Sequence, residues 1–264
     1  MRVCRGGGNN GAAVWQITHS RRTPMTTVEP TCDLPGLDPD TYARWRASQV
    51  GMITERVERR LILDLIGDVR GESVLDVGCG DGDLAVQLSK HGGIVSGIDI
   101  SEPMIEAAKQ RAARDKVDID FRVAAGQDIP FPAEQFDIVA AVTILCFVEN
   151  PAPIFDEVAR VLRPGGRFII GELGKWSSWA AARRIRAWSG SPLWRKGRFR
   201  TARELRMLAT RAGLEPTRVH GAVYYPRFGL AARLMAPWDH HLGGLTTIGA
   251  AFVALEAVKP PFTH

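Results

Sequence analysis

The stretch VLDVGCGDGDLAV, residues 74–86, sets three glycines and three aspartates at the end of a continuous apolar run. An apolar run that stops at glycine and resumes at helical spacing reads as a buried strand, a tight turn and a helix. The pattern then repeats. SVLDVG is strand-like, GDLAVQLSKHG helix-like and GIVSGIDIS strand-like; EPMIEAAKQRAARD is a helix with Pro103 in its first turn, where a missing N–H costs nothing. DIDFRVA and FDIVAAVTI are strands, PAPIFDEVARVLRPGG is a helix stopped by proline and glycine, and RFIIGEL is a strand. Strands separated by helices of this length make a parallel, doubly wound α/β sheet with helices on both faces. A ligand is expected at the carboxyl ends of the strands, beside the first one.

The flanks differ in character. Residues 1–37 begin glycine-rich and aperiodic and are expected to be a disordered extension. Residues 38–70 carry apolar positions at helical spacing and are expected as cap helices; 71–173 form the core, and 174–264 a lid and substrate-side part within the same domain. In that last part, WSSWAAARRIRAWSG and TARELRMLATRAGL read as helices, EPTRVHGAVYYP and GAAFVALEAVKP as closing strands, and RFGLAARLMAPWDHHLGGLTTI between them as irregular. No apolar stretch approaches the roughly 18–20 residues that span a bilayer, and the N-terminus lacks the order of a secretory signal, which points to the cytoplasm. Cys4, Cys32, Cys79 and Cys146 lie far apart and read as reduced thiols.

The glycine spacing discriminates between ligands. A dinucleotide fingerprint with glycines at 78 and 80 requires a third at 83, which is Asp83; here the third is Gly82. Carboxylates occupy the place a pyrophosphate would take, so an NAD-dependent oxidoreductase is disfavoured and a ligand carrying positive charge suits the turn better.

At this point the chain resembles the class I S-adenosylmethionine-dependent methyltransferases, most closely the small-molecule branch typified by ubiquinone and menaquinone biosynthesis enzymes. Four segments carry the resemblance in order: VLDVGCGDG, GIDISEPMIEAA, IPFPAEQFDIV and EVARVLRPGGRFIIGEL. It runs from about Tyr42 to Leu173 and then fades. It implies a Rossmann-like seven-stranded sheet, mostly parallel, with an antiparallel last strand inserted beside the fifth and a helical lid. It implies S-adenosylmethionine as cofactor. Gly78 and Gly80 would let the backbone approach the methionine moiety, with Asp76 and Asp81 offering negative potential to its ammonium. Asp99 would accept the ribose hydroxyls, and Ile100 and Met104 would edge the adenine. The acid or amide that usually precedes the IPF segment is Ala125 here, which leaves that contact to the Gly126 backbone and Gln127. Val142 would lie under the methionine tail, and Tyr42 and Trp45 match a helix that closes over the cofactor.

The resemblance names no catalytic group. By position at strand ends or in the C-terminal third, the candidates are Glu172, His220, Tyr224 and His240. No metal site is expected, because His240 and His241 have only Asp239 beside them. From Lys175 to Arg233 the chain carries fourteen Lys or Arg against Glu204 and Glu215, net +12, while the remainder carries −7. Interleaved with Trp176, Trp179, Trp188 and Trp194, this charge suits a small-molecule or lipid-like, anionic acceptor, or peripheral contact with a membrane. A solvated arginine-rich face is the alternative. Nucleic acid is disfavoured: AVTILCF lacks the Asn/Asp-Pro-Pro-aromatic motif of enzymes that methylate base amines. An RNA or protein methyltransferase using the basic lid, and a non-catalytic S-adenosylmethionine-binding protein, remain as alternatives; the sequence is silent on oligomeric state.

Overall fold

A computed structural model describes residues 44–261. The expected disordered extension, residues 1–37, and Tyr42 lie outside the described residues. The architecture grows from β1 (Ser73–Val77), whose Val74–Val77 are all buried. A strand without a solvent face needs partners on both edges and cover on both sides. It pairs in parallel with β2 (Ile94–Asp99) on one edge and β4 (Phe136–Val142) on the other. β3 (Asp120–Val123) extends the sheet beyond β2, and β5 (Leu162–Leu173) beyond β4, both in parallel. β7 (Phe252–Val258) then inserts antiparallel between β5 and the edge strand β6 (Glu215–Ala222), completing a seven-stranded sheet in the order β3-β2-β1-β4-β5-β7-β6. The order reverses between β1 and β4, and a crevice opens above their carboxyl ends.

Strand alternation divides the core between the two faces. Val74, Ile138, Ile169 and Phe252 pack with α1 (Gln49–Ile66), α2 (Asp83–Lys90) and α3 (Glu102–Asp115). Leu75, Val139, Phe168 and Leu255 pack with α4 (Ala152–Val161) and α7 (Ala202–Arg211). Phe155 and Phe168 meet edge to face at 5.4 Å, a contact of about 1 kcal/mol beyond its area. The remaining helices, α5 (Ser178–Trp188), α6 (Pro192–Lys196), α8 (Gly229–Met235) and α9 (Asp239–Gly243), lie in the C-terminal third.

Two expectations are corrected. The Arg-Pro-Gly-Gly run after α4 does not separate helix from strand: β5 already begins at Leu162, and the register shift opposite Phe136 absorbs the proline. The segment expected to be irregular folds as α8, a 3₁₀ turn over Ala236–Trp238, and α9. Its apolar residues do recur at helical spacing, but Leu230, Leu234 and Trp238 face solvent.

The helix that roofs the crevice is tied to the far edge of the sheet. The Leu65 and Ile66 carbonyls at the end of α1 accept from Arg167 of β5 and Arg218 of β6. Both arginines meet Glu256 of β7, which is 5% exposed; Arg218 donates at 2.6 and 2.8 Å, Arg167 at 3.5 Å. Hydrogen bonding from Arg218 pulls the Glu256 carboxyl down to about 2. Because this pKa is depressed, the stabilisation is present above the ordinary 4.5 and is lost as pH falls toward 2. Glu256→Gln should cost about 2 kcal/mol at pH 7, less than a fully buried pair because Arg218 keeps water contact. In urea unfolding, the difference from wild type should shrink toward pH 2–3.

Candidate active site

The crevice is a cavity of about 1100 Å³, lined by the carboxyl ends of β1, β2 and β4, by α1, and by α5 and α6. Asp76 sits at its base, 2% exposed, and its Oδ2 has no hydrogen-bond partner among the described residues. Burial, reinforced by Asp99, Asp83 and Asp81, raises its pKa to about 7. After β1 the chain turns at Gly78, with φ 72°; a Cβ there would lie 2.1 Å from Ile144 Cγ2. The Gly78 and Cys79 N–H groups donate to the Ile98 carbonyl at 2.7 and 2.9 Å, which holds the loop against β2. Asp99 closes the arrangement: Oδ2 accepts from Gly80 N–H and Oδ1 from Ser101 N–H, both at 2.9 Å. Burial raises its pKa while these bonds oppose the rise.

Asp81 lines the cavity as well, with its carboxylate ion-paired. Its carboxylate bonds Arg46 at 2.9 Å and Arg111, and Arg111 also donates to the Asp81 carbonyl at 2.9 Å. Asp83 takes Arg59 at 2.5 Å and Arg111 at 3.2 Å, and Glu55 joins Arg46 at 2.8 Å and Arg59. This network ties the helical turn at residues 44–47, α1, the glycine loop and α3 together.

The remaining expected cofactor positions converge. Trp45, Ile100, Met104, Gly126, Gln127 and Val142 all line the same cavity as Asp76, Gly78, Gly80 and Asp99. Thr143, just beyond Val142, adopts φ 59°, an uncommon conformation of the kind that gathers at functional sites. Among the described residues, no group of three or more His, Cys, Asp or Glu could hold a metal ion.

None of the four catalytic candidates lines the cavity. Glu172 is fully buried in the wall of β5, where Oε1 accepts the Leu145 N–H at 2.8 Å and braces the turn after β4; burial raises its pKa to about 7. His220 lies on the edge strand β6. The Tyr224 hydroxyl donates to the Thr246 carbonyl, and burial pushes its pKa up to about 12. His240 is exposed, its ring 3.8 Å from that of His241. Asp239 beside them is buried; it accepts the Val223 and Tyr224 N–H groups at 2.7 and 2.8 Å, a structural role.

Sequence reading missed the side chains on the other half. Glu58 and Ile62 of α1, Phe147, Leu173, Arg183, Arg186, Leu193 and Arg227 also line the cavity, together with Trp194 of the basic lid named above. The available signal was Glu58 itself, an acid four residues before Ile62 on the inward stripe of α1. Burial pushes it up to about 8, against the pull of Arg183.

Residues 75–170 match the family model described as a methyltransferase domain. An uncharacterised protein of Mycobacterium tuberculosis is 32% identical over 240 residues, covering 89% of this chain and 77% of that protein. A ubiquinone biosynthesis O-methyltransferase of Coxiella burnetii is 34% identical over 107 residues, 40% of this chain and 46% of that enzyme. A solved S-adenosylmethionine-dependent methyltransferase from Thermotoga maritima superposes with TM-score 0.64 at 23% identity, over 83% of this chain and 95% of that one. Fold, glycine loop and matched domain together place the chain in the class I S-adenosylmethionine-dependent methyltransferases. Its cofactor is S-adenosylmethionine. The site fits that molecule: a cationic ammonium has an unpartnered buried carboxylate to meet, and the turn at Gly78 leaves no room for a side chain.

The unpartnered state of Asp76 has a measurable cost. A carboxyl whose pKa is raised by folding stabilises fully below its ordinary 3.8 and loses that stability as pH rises through about 7. Without cofactor, Asp76→Asn should therefore be more stable than wild type at pH 8 by about 1–3 kcal/mol, with the gain vanishing near pH 4 in urea titrations.

Proposed function

We propose that this methyltransferase acts on a small, lipid-like acceptor bound between α1, the turn after β4 and α5–α6. The observation that carries this reading is the cavity's size and asymmetry. About 1100 Å³ exceeds what most single small ligands fill, and beyond the glycine loop and the strand ends its lining includes Ile62, Phe147, Leu173, Leu193 and Trp194.

In this reading Asp76 meets the cofactor's ammonium, Asp99 its ribose hydroxyls, Ile100 and Met104 its adenine, the Gly126 backbone and Gln127 the adenine edge, and Val142 its methionine tail. The bound cofactor supplies a methyl group already activated on a sulfonium. The chain's own task is to hold the acceptor in line and keep water out; such alignment is worth effective molarities of about 10⁵ M or more. Trp45 and the Arg46–Asp81 ion pair cover one side of the cavity, and Ile144 packs against Gly78.

The lid favours a small acceptor over RNA or protein. Much of its positive charge is used internally: Lys175 pairs with Glu204, Arg198 with Glu149 and Arg218 with Glu256, while Arg200 donates to the Leu145 and Val148 carbonyls. Trp179 is buried and Trp194 lines the cavity, whereas Trp176 and Trp188 face solvent. Next to the cavity residue Arg227, an exposed apolar stripe runs through Phe228, Leu230, Leu234, Trp238 and Leu245. A stripe of this kind suits contact with a membrane surface from which a lipid-like acceptor could be drawn. No helix among the described residues is long and apolar enough to cross one.

Calorimetry with S-adenosylmethionine and S-adenosylhomocysteine tests the cofactor half. Micromolar binding is expected, weakened at least tenfold by Asp76→Asn and by Asp99→Ala. Because the ionised form of Asp76 is the one that meets an ammonium, affinity should rise between pH 6 and 8 in wild type and stay level in Asp76→Asn. Methyl-labelled cofactor incubated with cell extract should then place its label in the organic phase; label in RNA or protein would overturn the acceptor assignment.

A further inference from the structure

We propose that the acceptor half of the cavity contains an oxyanion subsite built on Arg183, with Arg186 and Arg227, that selects an acceptor bearing a carboxylate or phosphate group. The inference rests on the reading of this half as the acceptor site and adds the chemical group by which the acceptor is recognised.

Arg183 projects from α5 with its guanidinium 4.8 Å from the Trp194 ring centroid and 5.5 Å from that of Trp179. Its Nη1 is buried and has no hydrogen-bond partner among the described residues. A buried guanidinium edge without an acceptor is costly, and few such groups persist without a purpose. Stacking on indole faces fixes the plane of the fork and leaves its edge open to a planar or tetrahedral oxyanion. Arg227 lies 5.1 Å from the Trp179 centroid, and Arg186, one turn along α5, lines the same space.

Among the described residues no carboxylate lies within ion-pair distance of Arg183. Elsewhere the arginines around the crevice are paired: Arg46, Arg59 and Arg111 with Glu55, Asp81 and Asp83. Glu58 is the carboxylate whose field reaches Arg183, but the two are not within ion-pair distance. Around Glu58 stand Arg183 from α5, Glu55 on its own helix and Asp239 from α9. With Glu58 held up to about 8, it is mostly neutral at pH 7, and the three guanidinium groups face the cavity uncompensated. Burial, with repulsion from Arg227 and Arg186, brings Arg183 down to about 10 against the pull of Glu58, still fully charged at neutral pH. A bound oxyanion removes both the repulsion and the unmet donor.

The test uses the full chain saturated with S-adenosylhomocysteine at pH 7 and three probes in calorimetry: decanoate, decyl phosphate and decanol. At least one anionic probe should bind tenfold or more tightly than decanol, and the stronger of the two identifies the group. Arg183→Gln should abolish the preference and leave S-adenosylhomocysteine affinity within about twofold of wild type. Because Arg183 packs between two indoles, Arg186→Gln, at an exposed position, provides a second variant expected to weaken the anion three- to tenfold. Above pH 8 anion binding should fall in wild type, as ionised Glu58 competes for Arg183, and should hold steady in Glu58→Gln. Equal binding of decanol and both anions, or a preference intact in both arginine variants, would overturn the subsite. Failure of wild type to bind S-adenosylhomocysteine would instead overturn the cofactor reading beneath it.

Discussion

Four carboxylates crowd the carboxyl end of the sheet, and the organisation of the site follows from which of them are neutralised. Asp81 and Asp83, on the loop and the first turn of α2, are taken up by Arg46, Arg59 and Arg111. Asp76 and Asp99 are not: among the described residues, Asp76 Oδ2 meets no donor and Asp99 is satisfied by backbone N–H groups. Unpaired like charges this close would repel the loop open. Pairing two of the four with arginines from separate elements holds it shut, brings α1 and α3 against it, and directs the remaining negative potential into the crevice.

What could be read from the chain follows from how far each signal reaches. The β1–loop–α2 unit is local: an apolar run, glycines at a turn and an amphipathic helix lie within twenty residues, and sheet order follows from their repetition. The ion pairs of Asp81 are not legible locally because its partners are distant, Arg46 lying 35 residues before it and Arg111 30 after. Glu172 stands at a strand end as a rim residue would, yet its side chain turns to the Leu145 N–H instead of the cavity. Glu58, Arg183 and Arg227 come from three parts of the chain, and only the packing of α1 against the C-terminal helices makes them neighbours. The helices α8 and α9 read as irregular because they are short and interrupted by Pro237 and by Gly243 and Gly244.

The segment around Asp239 shows how a residue can look chemical and serve the fold. Val223 is held at φ 63°, a conformation that a β-branched side chain resists by about 1–3 kcal/mol. The Asp239 carboxylate receives the N–H groups of Val223 and Tyr224 and fixes the reversal that ends β6. The neighbouring histidines stay at the surface, so the aspartate is the member of the Trp-Asp-His-His run on which the structure relies.

The two walls of the crevice are built to different standards of permanence. The cofactor wall is made of strand ends and a turn whose Gly78 tolerates no added methyl. On the facing wall, α6 contributes no buried residue and α5 only Trp179 and Ala180. Substitutions at such positions usually change stability by less than about 0.5 kcal/mol. The α5–α6 part of the acceptor wall can therefore drift in sequence while the fold and its methyl donor stay fixed. Evolvability is in this sense part of the architecture: descendants of one chain can come to take different acceptors without first having to become more stable.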